Sequence, residues 1–394
     1  MTGPIPFDRH RAAHLTVPVL FAALFLLGEA ASRALSYGVL AIGLWAAWSD
    51  PRTPSLLRAR PFLAVAAYLT FGLVSVAWSG RGPGFLGESL GKYVNMLVFI
   101  HLVAALSLAA PAILRVGERV FVIAGALSAA GAIALLASGA PSLTGERLQG
   151  LGSVQNSVVA GILYGAALLY GVVREWPAAR SLPARLLVLA AIAVLAAAIL
   201  LTHSRGPLLA LAVTLAAGLA MAGRDGRRLL LLLIAGAAAA VSATIGWEAL
   251  LERGFSYRIE IWEQAIEQSM RTFWFGIGMS SRVHFTLPGG FEAASPHNIF
   301  LSAFLTTGAV GLTLLVLMLA VLAREALACL RQDGDPLPAA LLLYVVVYGL
   351  VDRQLDLRNL SPEYFTVWYA AGLLTAAWMR RHRTAAVRVI PAAG

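Results

Sequence analysis

The sequence predicts an all-α integral membrane protein of about twelve transmembrane helices, and three observations predict it. Of its 394 residues, 59% are hydrophobic and only 13% are charged, too little charge to clothe a water-soluble surface of that size. Mean hydropathy is +0.78. Apolar runs recur along the whole chain at roughly twenty residues each, the length a helix needs to cross the hydrocarbon of a bilayer. The connectors between runs carry arginine preferentially on alternate sides, as the positive-inside rule requires.

Spans are expected over 14–31, 35–48, 61–78, 90–109, 120–138, 155–173, 186–202, 206–222, 229–246, 297–322, 337–351 and 363–379. The second and eleventh are short, which suits tilted or partly re-entrant segments. No small-residue cleavage site follows the first apolar run, so it is expected to be a retained helix rather than a signal peptide. The chain reads as one polytopic membrane domain over 1–394, with no soluble domain, low-complexity segment or clear internal repeat.

Charge sets the expected orientation. With the N-terminus in the cytoplasm, the inside segments hold nineteen arginines against eight acids, and the outside segments eleven basic residues against twelve acids. That is a surplus of eleven inside and a deficit of one outside, which together make the net charge of +10. Both termini are therefore expected in the cytoplasm, and the protein in a bacterial inner membrane. The basic balance belongs to topology, so nucleic acid is not an expected partner. The single cysteine, Cys329, excludes an intrachain disulfide and a thiolate metal cluster.

The outer connectors are short except one, over 247–296. Its first part, Trp247 to Met270, carries Leu250, Leu251, Phe255, Ile259, Trp262 and Ile266 at helical spacing. Glu252, Arg253, Glu260, Glu263 and Glu267 occupy other faces, so an amphipathic helix at the periplasmic interface is expected. Phe273-Trp274-Phe275-Gly276-Ile277-Gly278 breaks it, and a Gly/Pro-containing loop leads to Pro296.

Basic residues have the least topological use outside, so those found there are the first candidates for chemistry. Arg147, Arg205, Arg258 and Lys92, the only lysine, lie beside span ends that face out. Arginine binds phosphate through a planar two-pronged fork and lysine as a point charge, so such a group suits a lipid-linked pyrophosphate. Snorkelling or helix capping accounts for Arg33, Arg81, Arg271 and Arg282. Arg205, pinned in the tight turn His203-Ser204-Arg205-Gly206, is read as functional. His297 follows Ser295-Pro296 at the outer start of the tenth span; an imidazole there can exchange a proton with a hydroxyl near neutral pH. No pair of histidines or carboxylates has helix-face ligand spacing at the outer surface, so no metal is expected. Glu260, Glu263 and Glu267 read as a solvated helix face. Asp352 and Asp356, with Arg353 and Arg358, form an outer charged cluster, either an ion-paired connector or part of an acceptor entry.

Several of these residues fall in an ordered set of motifs. The run from His297-Asn298 through nine residues to Gly308, then two more to Gly311, resembles the H-[NSQ]-x9-G-x-x-[GTY] signature of the bacterial O-antigen ligases. Protein O-oligosaccharyltransferases and polysaccharide polymerases share it in looser form. Thr202-His203-Ser204-Arg205-Gly206 resembles the superfamily's SRG turn, and Tyr257-Arg258-Ile259-Glu260-Ile261-Trp262 its R-x-x-x-W element. Gly276-Ile277-Gly278 and the earlier loop from Arg147 to Asn156 also fit.

The resemblance implies a GT-C-like membrane glycosyltransferase that needs no cofactor. Such enzymes move a glycan from undecaprenyl pyrophosphate to an acceptor hydroxyl on the periplasmic face, in the ligases a sugar of lipid A-core. Donor, acceptor and membrane lipids are then the expected partners. Carried onto this sequence, Arg205 and Arg258 hold the pyrophosphate and His297 activates or orients the acceptor. Asn298 supports His297, and Lys92, Arg147 and Asn156 complete the expected substrate-binding set. A polymerase or protein-glycosylating enzyme of the same superfamily is the alternative, with the lack of a second large outer loop favouring the ligase over the polymerase. A transporter fits poorly, because the span interiors are nearly free of charge.

Overall fold

The computed structural model describes residues 7–28, 30–32, 34–38, 41, 51–139, 147–221, 257–289, 292–353, 355, 357 and 360–388. Its helices are α1 (Phe7–Leu26), α2 (Thr53–Leu57), α3 (Arg60–Ser75), α4 (Pro83–Ala109), α5 (Pro111–Ala137) and α6 (Ser157–Tyr170). They continue as α7 (Leu182–Leu201), α8 (Arg205–Met221), α9 (Arg258–Arg271), α10 (Ile299–Ala328), α11 (Leu337–Gly349) and α12 (Val367–Arg388). One two-residue hairpin, β1 (Phe285–Thr286) against β2 (Glu292–Ala293), interrupts the helices.

Among the described residues, six segments are long and apolar enough to cross a membrane: Arg60–Trp78, Gly84–Ala109, Pro111–Ala137, Ser157–Ala178, Leu182–Leu201 and Ile299–Asp333. Val17–Leu26, Arg205–Leu219 and Leu337–Gly349 are apolar but shorter. This is a multi-pass membrane protein, mostly helical. The expected ninth span and residues 247–256 of the long connector lie outside the described residues, as does most of the second span.

Helix starts follow the local chemistry. Proline occupies the first turn of α3, α4, α5, α7 and α11, where its missing N–H is no loss. Asn156, Ser181 and Asn298 cap α6, α7 and α10 with their side-chain oxygens. Two spans run on through a π-helical turn, Gly171–Glu175 after α6 and Cys329–Asp333 after α10, so they extend further than the apolar pattern alone suggests.

Helices pack α1 on α5, α12 on α4, α10 on α3 and α8 on α11. At the centre, Phe21 and Phe25 of α1 meet Phe121 of α5, Tyr164 of α6 and Phe365, with Tyr170 and Tyr369 alongside. These edge-to-face and stacked rings are fully buried.

The helix ends sort into two groups. At one end Arg174 meets Asp335 at 2.7 Å, Arg119 meets Glu175 at 2.9 Å and Arg381 meets Asp333 at 3.0 Å. These are all groups that charge counting places inside. The other end gathers the N-termini of α6, α8 and α10 with the C-termini of α7 and α11.

One expectation needs correction. α4 starts at Pro83 rather than near 90, because Gly82-Pro83 is the helix signal. Lys92 therefore lies in its third turn instead of at its outer tip. On α9, Ile261, Ala265 and Ser269 form the buried stripe, and Ile259 and Ile266 of the apolar face are half exposed. Ile261 and Ala265 pack with Val283, Phe285 and Leu305, so α9 lies against the first turns of α10.

Candidate active site

Four turns converge at the second helix end: Thr202–Gly206 between α7 and α8, Tyr257-Arg258 at the start of α9, Ser295–Asn298 before α10, and Leu350–Arg353 after α11. Among the described residues, four that are not glycine have left-handed backbones. Three of them lie in these turns: His203 at φ 49°, Tyr257 at φ 59° and His297 at φ 51°. Each such position costs on the order of 1 kcal/mol or more and persists only where surrounding contacts impose it. Tyr257 immediately precedes Arg258, His297 is itself a candidate, and His203 lies two residues before Arg205.

Asp352 is the hub. Its Oδ1 accepts from Arg258 Nη2 at 2.6 Å, and its carboxylate also accepts the backbone N–H of Gly206. A Cβ on Gly206 would run into Asp352 Oδ2, which is why the SRG turn ends in glycine. The His297 ring lies against the Asp352 main chain, which favours its charged form. Burial pushes the His297 pKa below its ordinary 6.5; the charge of Asp352 opposes this and Arg258 reinforces it. Burial likewise raises the Asp352 carboxyl, against the pull of Arg258, His297 and the Gly206 amide. The site thus presents a neutral imidazole beside a paired guanidinium.

The other motif residues hold this arrangement. Trp262, one turn after Arg258 on the same side of α9, donates from Nε1 to the Pro296 carbonyl at 2.9 Å. The R-x-x-x-W element therefore grips Asp352 with one residue and the turn of His297 with the other. Arg147 donates from Nε to the Thr202 carbonyl at 2.9 Å and from Nη2 to Ser204 Oγ at 3.0 Å. It clamps the turn that carries Arg205, and Ser204 ties that turn to the Ser157 carbonyl at 3.1 Å. Asn298 accepts from the amides of Phe300 and Leu301 at 2.9 and 3.1 Å and donates to the Leu350 carbonyl at 3.0 Å. It joins the start of α10 to the end of α11.

Gly308 and the earlier Gly276 have a shared reason. Gly308 breaks α10 with φ 65° and ψ −166°, a backbone open essentially to glycine alone. The break exposes main-chain groups that the loop before it takes up. Ile277 and Gly278 donate to Leu305 and Thr306 at 3.0 and 2.8 Å, and Ala309 and Val310 donate to Phe273 and Trp274 at 2.7 and 3.2 Å. A Cβ on either glycine would strike the backbone of the other segment. Gly308 of the signature and Gly276 thus form a staple between the long loop and the helix that starts at His297.

Of the residues expected from the sequence, Arg258 and His297 meet at Asp352, and Arg205 opens α8 next to Gly206 of the same hub. Arg147 and Asn298 stand behind them as clamp and cap. Asn156 caps α6, its oxygen held by the amides of Val158 and Val159 at 2.8 and 3.2 Å. Lys92 pairs with Glu88 of its own helix at 2.8 Å rather than with Asp352. Glu267 pairs with Arg271 at 2.6 Å on an exposed face, as a solvated stripe does. The charged cluster after α11 divides: Arg353 grips buried Glu363 at 2.6 and 3.3 Å, an ion-paired connector, while its neighbour Asp352 serves the site. Asp356 and Arg358 lie outside the described residues. Among the described residues, no three His, Cys, Asp or Glu side chains are grouped to hold a metal ion.

Residues 186–316 match the family model described as O-antigen ligase. The chain is also 27% identical, over 340 residues, to the O-antigen ligase of Pseudomonas aeruginosa, covering 86% of this chain and 83% of that protein. The chain resembles the O-antigen ligases. The stretch that matches the ligase family runs from α7 past the Gly308 break, so it contains Arg205, Arg258, Trp262, His297, Asn298 and both stapling glycines. Arg147 and Asp352 lie beyond its limits, although both are bound directly to turns inside it.

Proposed function

We propose that the protein is an O-antigen ligase of the bacterial inner membrane, with both termini cytoplasmic and the Asp352 cluster facing the periplasm. The substrates of this reading are a glycan on undecaprenyl pyrophosphate and a sugar hydroxyl of lipid A-core. The observation that carries it is the Asp352 hub, which presents Arg258 and a neutral His297 beside the turn of Arg205, in a chain that resembles these ligases.

Transfer requires three things at once: a base for the acceptor hydroxyl, an electrophilic anomeric carbon, and stabilisation of the leaving pyrophosphate. The acceptor oxygen attacks the anomeric carbon as its proton passes to the unprotonated nitrogen of His297. The bond from that carbon to the pyrophosphate oxygen breaks, and the lipid pyrophosphate leaves with the electron pair. Arg205 and Arg258 neutralise its growing charge. Asp352 acts through these groups: it orients Arg258 by a charged hydrogen bond and lies beside the His297 ring. Strain at His203, Tyr257 and His297 is consistent with a pre-set site.

Reconstitution with undecaprenyl-pyrophosphate glycan, offering lipid A-core, a peptide or further glycan as acceptor, tests the reading. Transfer to lipid A-core that survives EDTA supports it. Transfer only to peptide or to glycan would favour the protein-glycosylating or polymerase alternative, and loss in EDTA restored by one divalent ion would contradict metal independence.

A further inference from the structure

The loop that staples to α10 also carries the most exposed aromatic residues at this end of the molecule. Trp274 is 64% and Phe275 58% exposed, and Met270, one turn before, is 58% exposed. Scattered exposed apolar residues are ordinary, but three large ones on one turn need a cover.

Neighbouring contacts fix the depth of that turn. Phe275 meets Trp78 edge-on at 6.4 Å, and Trp78 meets Phe71 at 6.4 Å. Trp78 ends the 19-residue span Arg60–Trp78, about 28 Å long and so close to the hydrocarbon thickness. A tryptophan in that position marks the membrane–water boundary. Phe273 packs on Phe304 of α10 at 5.6 Å, and the loop backbone is bonded to residues 305–310 inside the span Ile299–Asp333. Val74, Val316 and Leu317 on the same two helices are likewise exposed apolar residues. Exposed Glu260, Glu263 and Glu267 keep the body of α9 in water.

We propose that Met270 and the finger Phe273–Phe275 insert into the bilayer boundary at the site end, and that the lipid surface is their partner. The finger is a membrane anchor for the R-x-x-x-W helix. Because its backbone is stapled to the Gly308 break, it also holds the α10 segment that begins at His297 at a set height above the hydrocarbon. This inference concerns lipid contact and does not depend on which glycan is transferred.

Labelling tests it directly, since the one native thiol, Cys329, is buried. Trp274→Cys, Met270→Cys and, as an aqueous reference, Arg282→Cys would each carry an environment-sensitive fluorophore in liposomes, with the unsubstituted protein as blank. Labels at 274 and 270 are expected to be quenched by phospholipid spin-labelled near the headgroup, and to be quenched several-fold less by iodide than the label at 282. Iodide quenching equal to that at 282 would overturn the proposal. Protection from both quenchers would also overturn it, because protein would then be the cover. If Trp274→Cys does not fold, Met270→Cys carries the same test.

Discussion

Arg258 donates to Asp352 across 2.6 Å with both side chains largely buried, and the same aspartate receives the Gly206 amide and lies beside His297. Removing it therefore disturbs three segments at once. Asp352→Ala is expected to lower stability by about 2 kcal/mol, because a buried guanidinium loses its charged partner. Transfer is expected to fall on the order of 100-fold, the scale of a mispositioned acid–base group. Thermal unfolding in detergent and a transfer assay measure the two effects. Unchanged values in both would remove Asp352 from the account.

The His297 shift sets a pH dependence. Its pKa is lowered in the folded protein, so the neutral ring contributes stability that is complete above the ordinary 6.5 and is lost as pH falls through the depressed value. The acid limb of transfer should accordingly lie below pH 6.5. Arg258 pushes the ring down and Asp352 pushes it up, so the limb should move upward in Arg258→Gln and downward in Asp352→Asn. Residual activity against pH in the two variants reads this, and shifts in the same direction would contradict the assignment.

Arg147 separates a clamp from a phosphate ligand. Its Nε and Nη2 are both used on the turn of Arg205, and lysine cannot span two such acceptors. Arg147→Lys should therefore lose roughly tenfold in transfer and about 1 kcal/mol in stability, although its charge is retained. A lysine variant with wild-type stability and activity would make Arg147 a simple cation instead.

Gly308→Ala probes the staple. Alanine disfavours the backbone at φ 65° and its Cβ would meet the loop at Trp274-Phe275. The expected cost is at least about 2 kcal/mol, with faster proteolysis of 273–289. Limited digestion of the reconstituted protein checks it, and an unchanged pattern would mean that the loop is held elsewhere.

The sequence pointed to members of the candidate site more than to their supports. Arg205, Arg258 and His297 were legible because cations and a histidine at an outer face have few structural uses, and because their spacing fits a motif. Asp352 was visible only as one acid in a charged cluster; nothing local distinguishes it from its neighbour Arg353, whose partner Glu363 lies ten residues on. What separates them is tertiary pairing across 94 residues to Arg258. Asn156 caps α6, and an asparagine before a span is as well suited to capping as to binding. The packed stripe of α9, Ile261-Ala265-Ser269, was not legible because it is narrow and semi-polar, while the larger residues Ile266 and Met270 are left outside. In a membrane protein hydrophobicity does not point inward, so amphipathic spacing alone cannot choose the packed side.

The central claim is that Arg205, Arg258 and His297 act together on one glycan transfer. Its most direct test is the rate of transfer to lipid A-core by Arg205→Ala, Arg258→Ala and His297→Ala, each reconstituted and matched to the parent for insertion and unfolding temperature. The account predicts loss of transfer in all three. Parent-level transfer in all three well-folded variants would contradict it.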